Sequence, residues 1–257
     1  MIQQLEKPPS SQIHIKLNGE STTGLFIAIT IIGIWAASLT YLLSVDISKF
    51  NFITLLLGII WQTFLYTGLF ITAHDAMHGV VFPKNSKINH FIGSFSLLLY
   101  GWLSYSKLLK KHWVHHHHPA SESDPDFHNG KQKNFFAWYL YFMKNYWSWQ
   151  QIIVLTSLYN LSHYFLHIPK DNLTYFWALP AILSSIQLFY FGTFLPHQEP
   201  EEGYSEPHRA QTISLPVWLS FLTCYHFGYH NEHHEYPHAA WWQLPKVYKS
   251  KTETVSP

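Results

Sequence analysis

Charge is scarce in this 257-residue chain. Asp, Glu, Lys and Arg make up 12% of it, about half the roughly 25% usual in soluble domains. There is one arginine, Arg209, and the net charge is only +1. Nucleic-acid binding needs a basic excess, so this balance argues against it. There is also one cysteine, Cys224, which excludes a disulfide framework and a cysteine-based metal cluster. No G-x-G-x-x-G fingerprint is present, so nothing points to a built-in dinucleotide or flavin site. The polar stretch Met1–Glu20 lacks the charged-then-apolar pattern of a cleaved signal peptide. Disorder is excluded by 47% hydrophobic and 18% aromatic residues. What the chain has in excess is histidine, 19 residues.

The missing charges leave six uncharged windows: 21–45, 50–73, 88–106, 145–169, 172–198 and 210–231. A helix needs about 20 apolar residues to cross a hydrocarbon core of roughly 30 Å. Four windows predict spans, over 24–44, 52–73, 150–168 and 173–195. The third is less apolar and contains His163 and His167, so it is expected to face a bundle interior or lie near an interface. The stretches 91–105 and 215–229 are short for a crossing and suit re-entrant or interfacial helices. With four spans, Lys and Arg number two before the first span, eight in 74–149 and four after Leu195, all on one side. Only Lys49 and Lys170 fall on the other. Basic loops stay cytoplasmic, so both termini are expected in the cytoplasm. The expected architecture is an all-α integral membrane protein. It has four transmembrane helices, two re-entrant or interfacial helices and a histidine-rich cytoplasmic cap. No repeat or composition break divides it, so 1–257 reads as one domain, with polar tails at 1–20 and 248–257.

Three histidine clusters stand out. His74-Asp75-Ala76-Met77-His78 closes the second span; His112-Trp113-Val114-His115-His116-His117-His118 follows; His230-Asn231-Glu232-His233-His234 comes last, with His226 one turn earlier. His197 lies just past the final span. Residues three and four apart share a helix face. His74 with His78, His112 with His115 and His116, and His230 with His233 and His234 can therefore each aim at one point. Imidazole suits Fe, Cu, Zn and Ni. Eight or nine imidazoles exceed the needs of one ion and fit two. The clusters can meet only if the helices bearing them end on one membrane face, which four spans allow and six do not. Isolated histidines, His14, His90, His128, His208 and His238, read as surface or interfacial polar residues. His117 and His118 are expected outside the ligand set.

The segments HDAMHG at 74–79, HxxHH from His112 and HFGYHxEHHxxP at 226–237 resemble the membrane fatty-acid desaturase and hydroxylase superfamily. The surrounding residues, Trp61-Gln62-Thr63-Phe64, Phe191-Gly192-Thr193-Phe194-Leu195-Pro196-His197 and Cys224-Tyr225-His226-Phe227-Gly228-Tyr229-His230, are more narrowly similar to bacterial β-carotene ketolases of the cyanobacterial kind. The resemblance covers roughly 24–245. It implies two iron ions, O2 as co-substrate and electrons from an external donor such as ferredoxin with its reductase. The implied reaction oxidises C4 of each β-ionone ring of β-carotene, through a gem-diol, to echinenone and then canthaxanthin. The implied ligands are His74, His78, His112, His115, His116, His230, His233 and His234, with His197 as ninth. His226 and His118 remain alternatives. A carotenoid hydroxylase or fatty-acid desaturase has the same boxes; a haem-binding or metal-transport protein is the rival of another class.

Carboxylates beside such boxes fix imidazole tautomers. Asp75 and Asp126 are the expected partners, with Asp124 and Glu232 also near. The substrate is expected to arrive from the bilayer. Phe64, Tyr66, Phe70, Tyr190 and Phe194 are candidates for its tunnel, although ordinary packing is the commoner role for such rings.

Overall fold

The computed structural model describes residues 22–128, 130–131 and 133–255, and every regular element among them is helical. The polar stretch 1–20, with His14 and the Lys7 and Lys16 of the charge reading, lies outside the described residues.

The long elements are α1 (Thr23–Ser44), α2 (Phe52–Met77), α3 (Ser86–Gly101), α4 (Tyr105–His117), α5 (Phe135–Tyr146), α6 (Trp149–Tyr164) and α7 (Lys170–Phe194). Three more follow: α8 (Val217–Cys224), α9 (His230–Glu235) and α10 (Leu244–Val255). Side-chain caps set several starts. The Asn51 carbonyl accepts from the Thr54 N–H, Asn85 from Lys87 and Ile88, and Asn134 from Ala137, satisfying donors that a helix start leaves free. Left-handed residues stop α3 at Trp102 and α8 at Tyr225.

Helices α1, α2 and α7 are long and apolar enough to cross a membrane. The expected fourth span is shorter than its sequence window. Helix α6 stops at Tyr164, because His167 takes a left-handed turn (φ 55°) before Pro169. Its 16 residues reach about 24 Å. It nevertheless links opposite ends of the bundle. It begins just after Tyr146, which bonds Asp126 near the histidines. It leads into α7, whose Asn172 donates to the Leu42 and Val45 carbonyls at the far end of α1, both at 2.8 Å. His163 folds back locally onto the Ile168 carbonyl.

Helix α2 is the axis of the bundle. It buries Tyr66, Leu69, Ile71 and Ala73 completely against α1, α3 and α7. Polar bridges also join the helices. Thr67 donates to Gln187 at 2.7 Å and meets Ser184 at 2.9 Å; Trp61 donates to Ser38, which donates to Gln62. Such bonds between spans are worth roughly 0.6–2 kcal/mol each. Helix α7 widens into π-turns at Thr174–Ala178 and Tyr190–Phe194. The first precedes Pro180, whose ring crowds the carbonyl of Phe176, so a wider turn relieves the clash.

The stretches expected to be re-entrant or interfacial are short. Helix α3 runs back along α2, pairing Asn89 with the Ala76 carbonyl at one end and Tyr100 with Tyr66 at the other. The chain then returns through α4, where Tyr105 meets His90. Helix α8 has only 8 residues, about 12 Å, too short to cross. The stretch expected as a C-terminal tail continues α10 to Val255, and Tyr248 packs on Tyr229.

Candidate metal centre

All nine expected imidazoles meet at one end of the bundle. Helix α2 brings His74 and, as its C-cap, His78. Helix α4 brings His112, His115 and His116; α9 brings His230, His233 and His234. His197 follows the π-turn that ends α7. They sort into two groups. One holds His74, His78, His112 and His233; the other holds His115, His197, His230 and His234. Within each group the donor atoms lie within 4.8 Å of one another. His116 joins the first, its Nε2 2.9 Å from that of His233, while its ring stacks on His234 of the second at 4.3 Å.

The donor geometry fits metal ions. Nε2 atoms face each other at 2.6 Å (His78, His112), 3.0 Å (His197, His230) and 3.1 Å (His115, His234 and His230, His234). Two nitrogens held at about 2.1 Å from one ion, at right angles, stand about 3.0 Å apart. His234 Nε2 meets two other Nε2 atoms at once, and one ring hydrogen cannot serve both. The buried Nε2 of His74 has no hydrogen-bond partner, which an ion would supply. Burial pushes the pKa of His112, His116, His230, His233 and His234 well below 6.5, with neighbouring histidines adding to it. Neutral imidazole is the form that ligates.

The outer partners are more specific than spacing could tell. Asp124, rather than Asp126, holds His115: its oxygens lie 2.9 and 3.0 Å from Nδ1. A carboxylate only accepts, so Nδ1 carries a hydrogen and Nε2 is the nitrogen turned toward the other imidazoles. Burial disfavours the His115 cation, but the Asp124 and Asp126 carboxylates together outweigh it and lift the pKa to about 9. Asp124 also accepts from the Ala120 and Asp126 N–H groups. Asp126 sits 3.9 Å from His115 and accepts from the Tyr146 hydroxyl; burial raises its pKa to about 6. Asp75 accepts from the Trp241 N–H at 3.1 Å and lies 3.6 Å from His74 Nδ1. Glu232 turns away to Thr212 and Lys251. His197 Nδ1 donates to the Arg209 carbonyl at 2.9 Å, a backbone partner that no side-chain pattern announces.

The alternatives fall outside both groups. His226 bonds Ser220, and burial lowers its pKa to about 4. His117 and His118 are exposed, and His117 meets the Trp113 carbonyl. His128, expected at a surface, is buried against Phe127 and Trp138.

An apolar cavity of about 400 Å³ ends at the histidines. His74, His112, His115 and His230 form its floor, and Phe70, Leu108, Phe142, Ile152, Ile182 and Leu188 are among its walls. Of the expected tunnel aromatics, Phe70 lines it. Phe64 stacks on Tyr225, Tyr66 is core, and Tyr190 and Phe194 pack around Phe135. Much of one wall comes from α5 and α6, which the histidine pattern does not reveal.

A helical bundle with membrane-length helices and nine convergent imidazoles defines a membrane-type, histidine-rich protein whose clusters could hold metal ions. The fatty acid desaturase family model matches residues 50–168 and 143–255, and the chain belongs to that family. It is 38% identical over 246 residues to a zeaxanthin 4-ketolase of Chlamydomonas reinhardtii, covering 94% of this chain and 55% of that one. It is 40% identical over 244 residues to a beta-carotene 4-ketolase of Protosiphon botryoides, covering 86% and 62%. A beta-carotene ketolase of Paracoccus sp. (strain PC1) is 43% identical over 191 residues, covering 73% and 76%. The chain thus spans little more than half the length of the two algal relatives.

Proposed function

We propose that the protein is a β-carotene 4-ketolase that oxidises the C4 methylene of β-ionone rings to a ketone with O2. The observation that carries this reading is the apolar cavity whose floor is built from both imidazole groups. A hydrocarbon ring entering it meets mostly apolar walls, with Gln151, Ser185 and Thr193 among the few polar side chains that line it. Walls from α2, α5, α6 and α7 strip water from the ring and aim its allylic carbon at the floor.

Two iron ions fit the two groups. His74, His78, His112, His116 and His233 would hold one, and His115, His197, His230 and His234 the other. When bound, the pair supplies O2 activation strong enough to break an allylic C–H bond. Burial keeps the imidazoles of His112, His116, His230, His233 and His234 neutral, and Asp124 orients His115, the Arg209 carbonyl His197 and Asp75 His74. Asp126 and Tyr146 place a polar pair at the cavity's inner end. Two rounds at one carbon give a gem-diol, which loses water to the ketone. The electrons come from an external carrier such as ferredoxin.

The bundle would cross the membrane four times, through α1, α2, α6 and α7, with α3–α4 and α8 entering and leaving by one face. The connection of α6 between opposite ends of the bundle supports this. The lysine distribution supports a cytoplasmic histidine face.

Expression in β-carotene-producing bacteria tests the reaction. Echinenone and canthaxanthin are the expected products. Hydroxylated carotenoids would convict the rival hydroxylase, and unchanged pigment would contradict both.

A further inference from the structure

Each hydroxylation consumes O2, two electrons and two protons; one oxygen atom enters the C–H bond and the other leaves as water. The electrons have to reach ions walled in by nine imidazoles, and one side of the wall differs from the rest. Residues 76–121 contain five lysines, Lys84, Lys87, Lys107, Lys110 and Lys111, and no Asp or Glu. Helix α4 lies in that stretch and has two faces. His112, His115 and His116 point inward. Lys107, Lys110, Val114 and His117 are exposed. The same helix therefore presents a one-sign surface outward and metal-binding groups inward.

Trp113 connects the two faces. It is half-buried. Its ring lies 5.3 Å from that of His78 and 5.7 Å from that of His116, on the inside. On the outside the exposed His117 ring lies 5.8 Å away. Trp113 does not line the apolar cavity, so traffic through it does not compete with substrate.

We propose that the outer face of α4 is the docking surface for the electron donor, a small acidic one-electron carrier protein, and that Trp113 is the point of electron entry. This rests on the oxidation proposed above. Lysines of one sign attract an acidic partner over about 8–10 Å, the screening length at moderate salt, and orient it on encounter. The docked carrier is oxidised by one electron per visit and the metal pair is reduced by one; two visits serve each oxygen atom inserted.

The test uses the full chain, loaded with iron, in nanodiscs of zwitterionic lipid, with a plant-type [2Fe–2S] ferredoxin as the probe. Lys107→Glu with Lys110→Glu is expected to weaken ferredoxin binding by about tenfold or more and to flatten its salt dependence. Trp113→Leu is expected to leave binding intact but to slow reduction of the metal pair by an order of magnitude, seen by stopped-flow absorbance at unchanged iron content. Trp113→Phe, which keeps a ring, is expected to restore most of that rate. Unchanged ferredoxin binding in the charge-reversal variant, or reduction of Trp113→Leu at the parent rate, overturns the proposal. So does a charge-reversal effect confined to association with anionic vesicles, which would make the face a lipid contact. Dithionite supplied in place of ferredoxin for repeated turnovers, enough for two rounds at one carbon, separates the two readings. Keto product there, with no docking effect, sinks only the docking surface; no keto product from chemically reduced parent protein sinks the reaction itself.

Discussion

His78 and His112 are 34 residues apart, yet their Nε2 atoms stand 2.6 Å from each other. Between them the chain runs out along α2 as α3 and returns as α4. The approach is possible only because that excursion begins and ends at the same end of the bundle. The excursion thus builds the first imidazole group, and the next residues of α4 reach the second.

Removing one member of each group is the simplest probe. His78→Ala and His230→Ala are expected to lose bound iron and to drop keto-carotenoid formation at least about 100-fold, since supporting groups alone are worth 10–100-fold. His118→Ala, at an exposed position, is expected to keep its iron. Elemental analysis of purified protein, read beside pigment chromatography, checks both.

Asp124 and Asp126 are distinguishable. Asp124→Asn removes the acceptor 2.9 Å from His115 Nδ1, and its iron affinity is expected to fall about 10–100-fold. Asp126 is 3.9 Å away, so Asp126→Asn is expected to cost affinity less. Chelator competition gives the ranking, and the reverse order would contradict the assignment.

Gly192 is packed beneath Phe227. A Cβ there would come within 2.1 Å of the Phe227 ring, which itself lies 4.8 Å from the ring of His74 and 5.2 Å from that of His230. Gly192→Ala is expected to push Phe227 into the cavity floor. Product formation should fall severalfold while the protein still folds and binds iron; overpacking of this kind costs about 1–3 kcal/mol.

The buried imidazoles also set a pH dependence of the metal-free protein. The pKa values of His112, His116, His230, His233 and His234 are lowered from 6.5 by burial. The unfolded chain therefore binds more protons below pH 6.5, and stability is present above that pH and lost as pH falls through it. Thermal unfolding in detergent should shift steadily downward between about pH 7 and 5. A flat profile would contradict neutral burial.

Asn172 tests the fold itself. It is fully buried, and its amide caps two carbonyls at the end of α1. Asn172→Ala leaves both unpaired and is expected to cost about 2–4 kcal/mol, read as a lower unfolding midpoint.

The convergence of the histidines was legible because residues three and four apart share a helix face, and spacing is what a sequence displays. Uncharged windows revealed α1, α2 and α7 for a similar reason: a bilayer imposes a length. Helix α6 was overestimated because composition continues past Tyr164 while the backbone does not; the left-handed His167 before Pro169 ends it. The choice between Asp124 and Asp126 was not legible, since two carboxylates two residues apart differ only once the loop is folded. The Arg209 carbonyl and the Trp241 N–H belong to the backbone and leave no trace in side-chain patterns. The cavity walls on α5 and α6 looked like ordinary aromatic and aliphatic sequence, because an apolar wall and an apolar core use the same residues.

The central claim is that two separate imidazole groups hold two ions. Metal analysis of the purified, folded chain, combined with iron X-ray absorption, tests it most directly. Two iron atoms per chain, in a nitrogen-dominated environment and without a haem absorption band, is the predicted result. A single tightly held ion, or a haem spectrum, would contradict it.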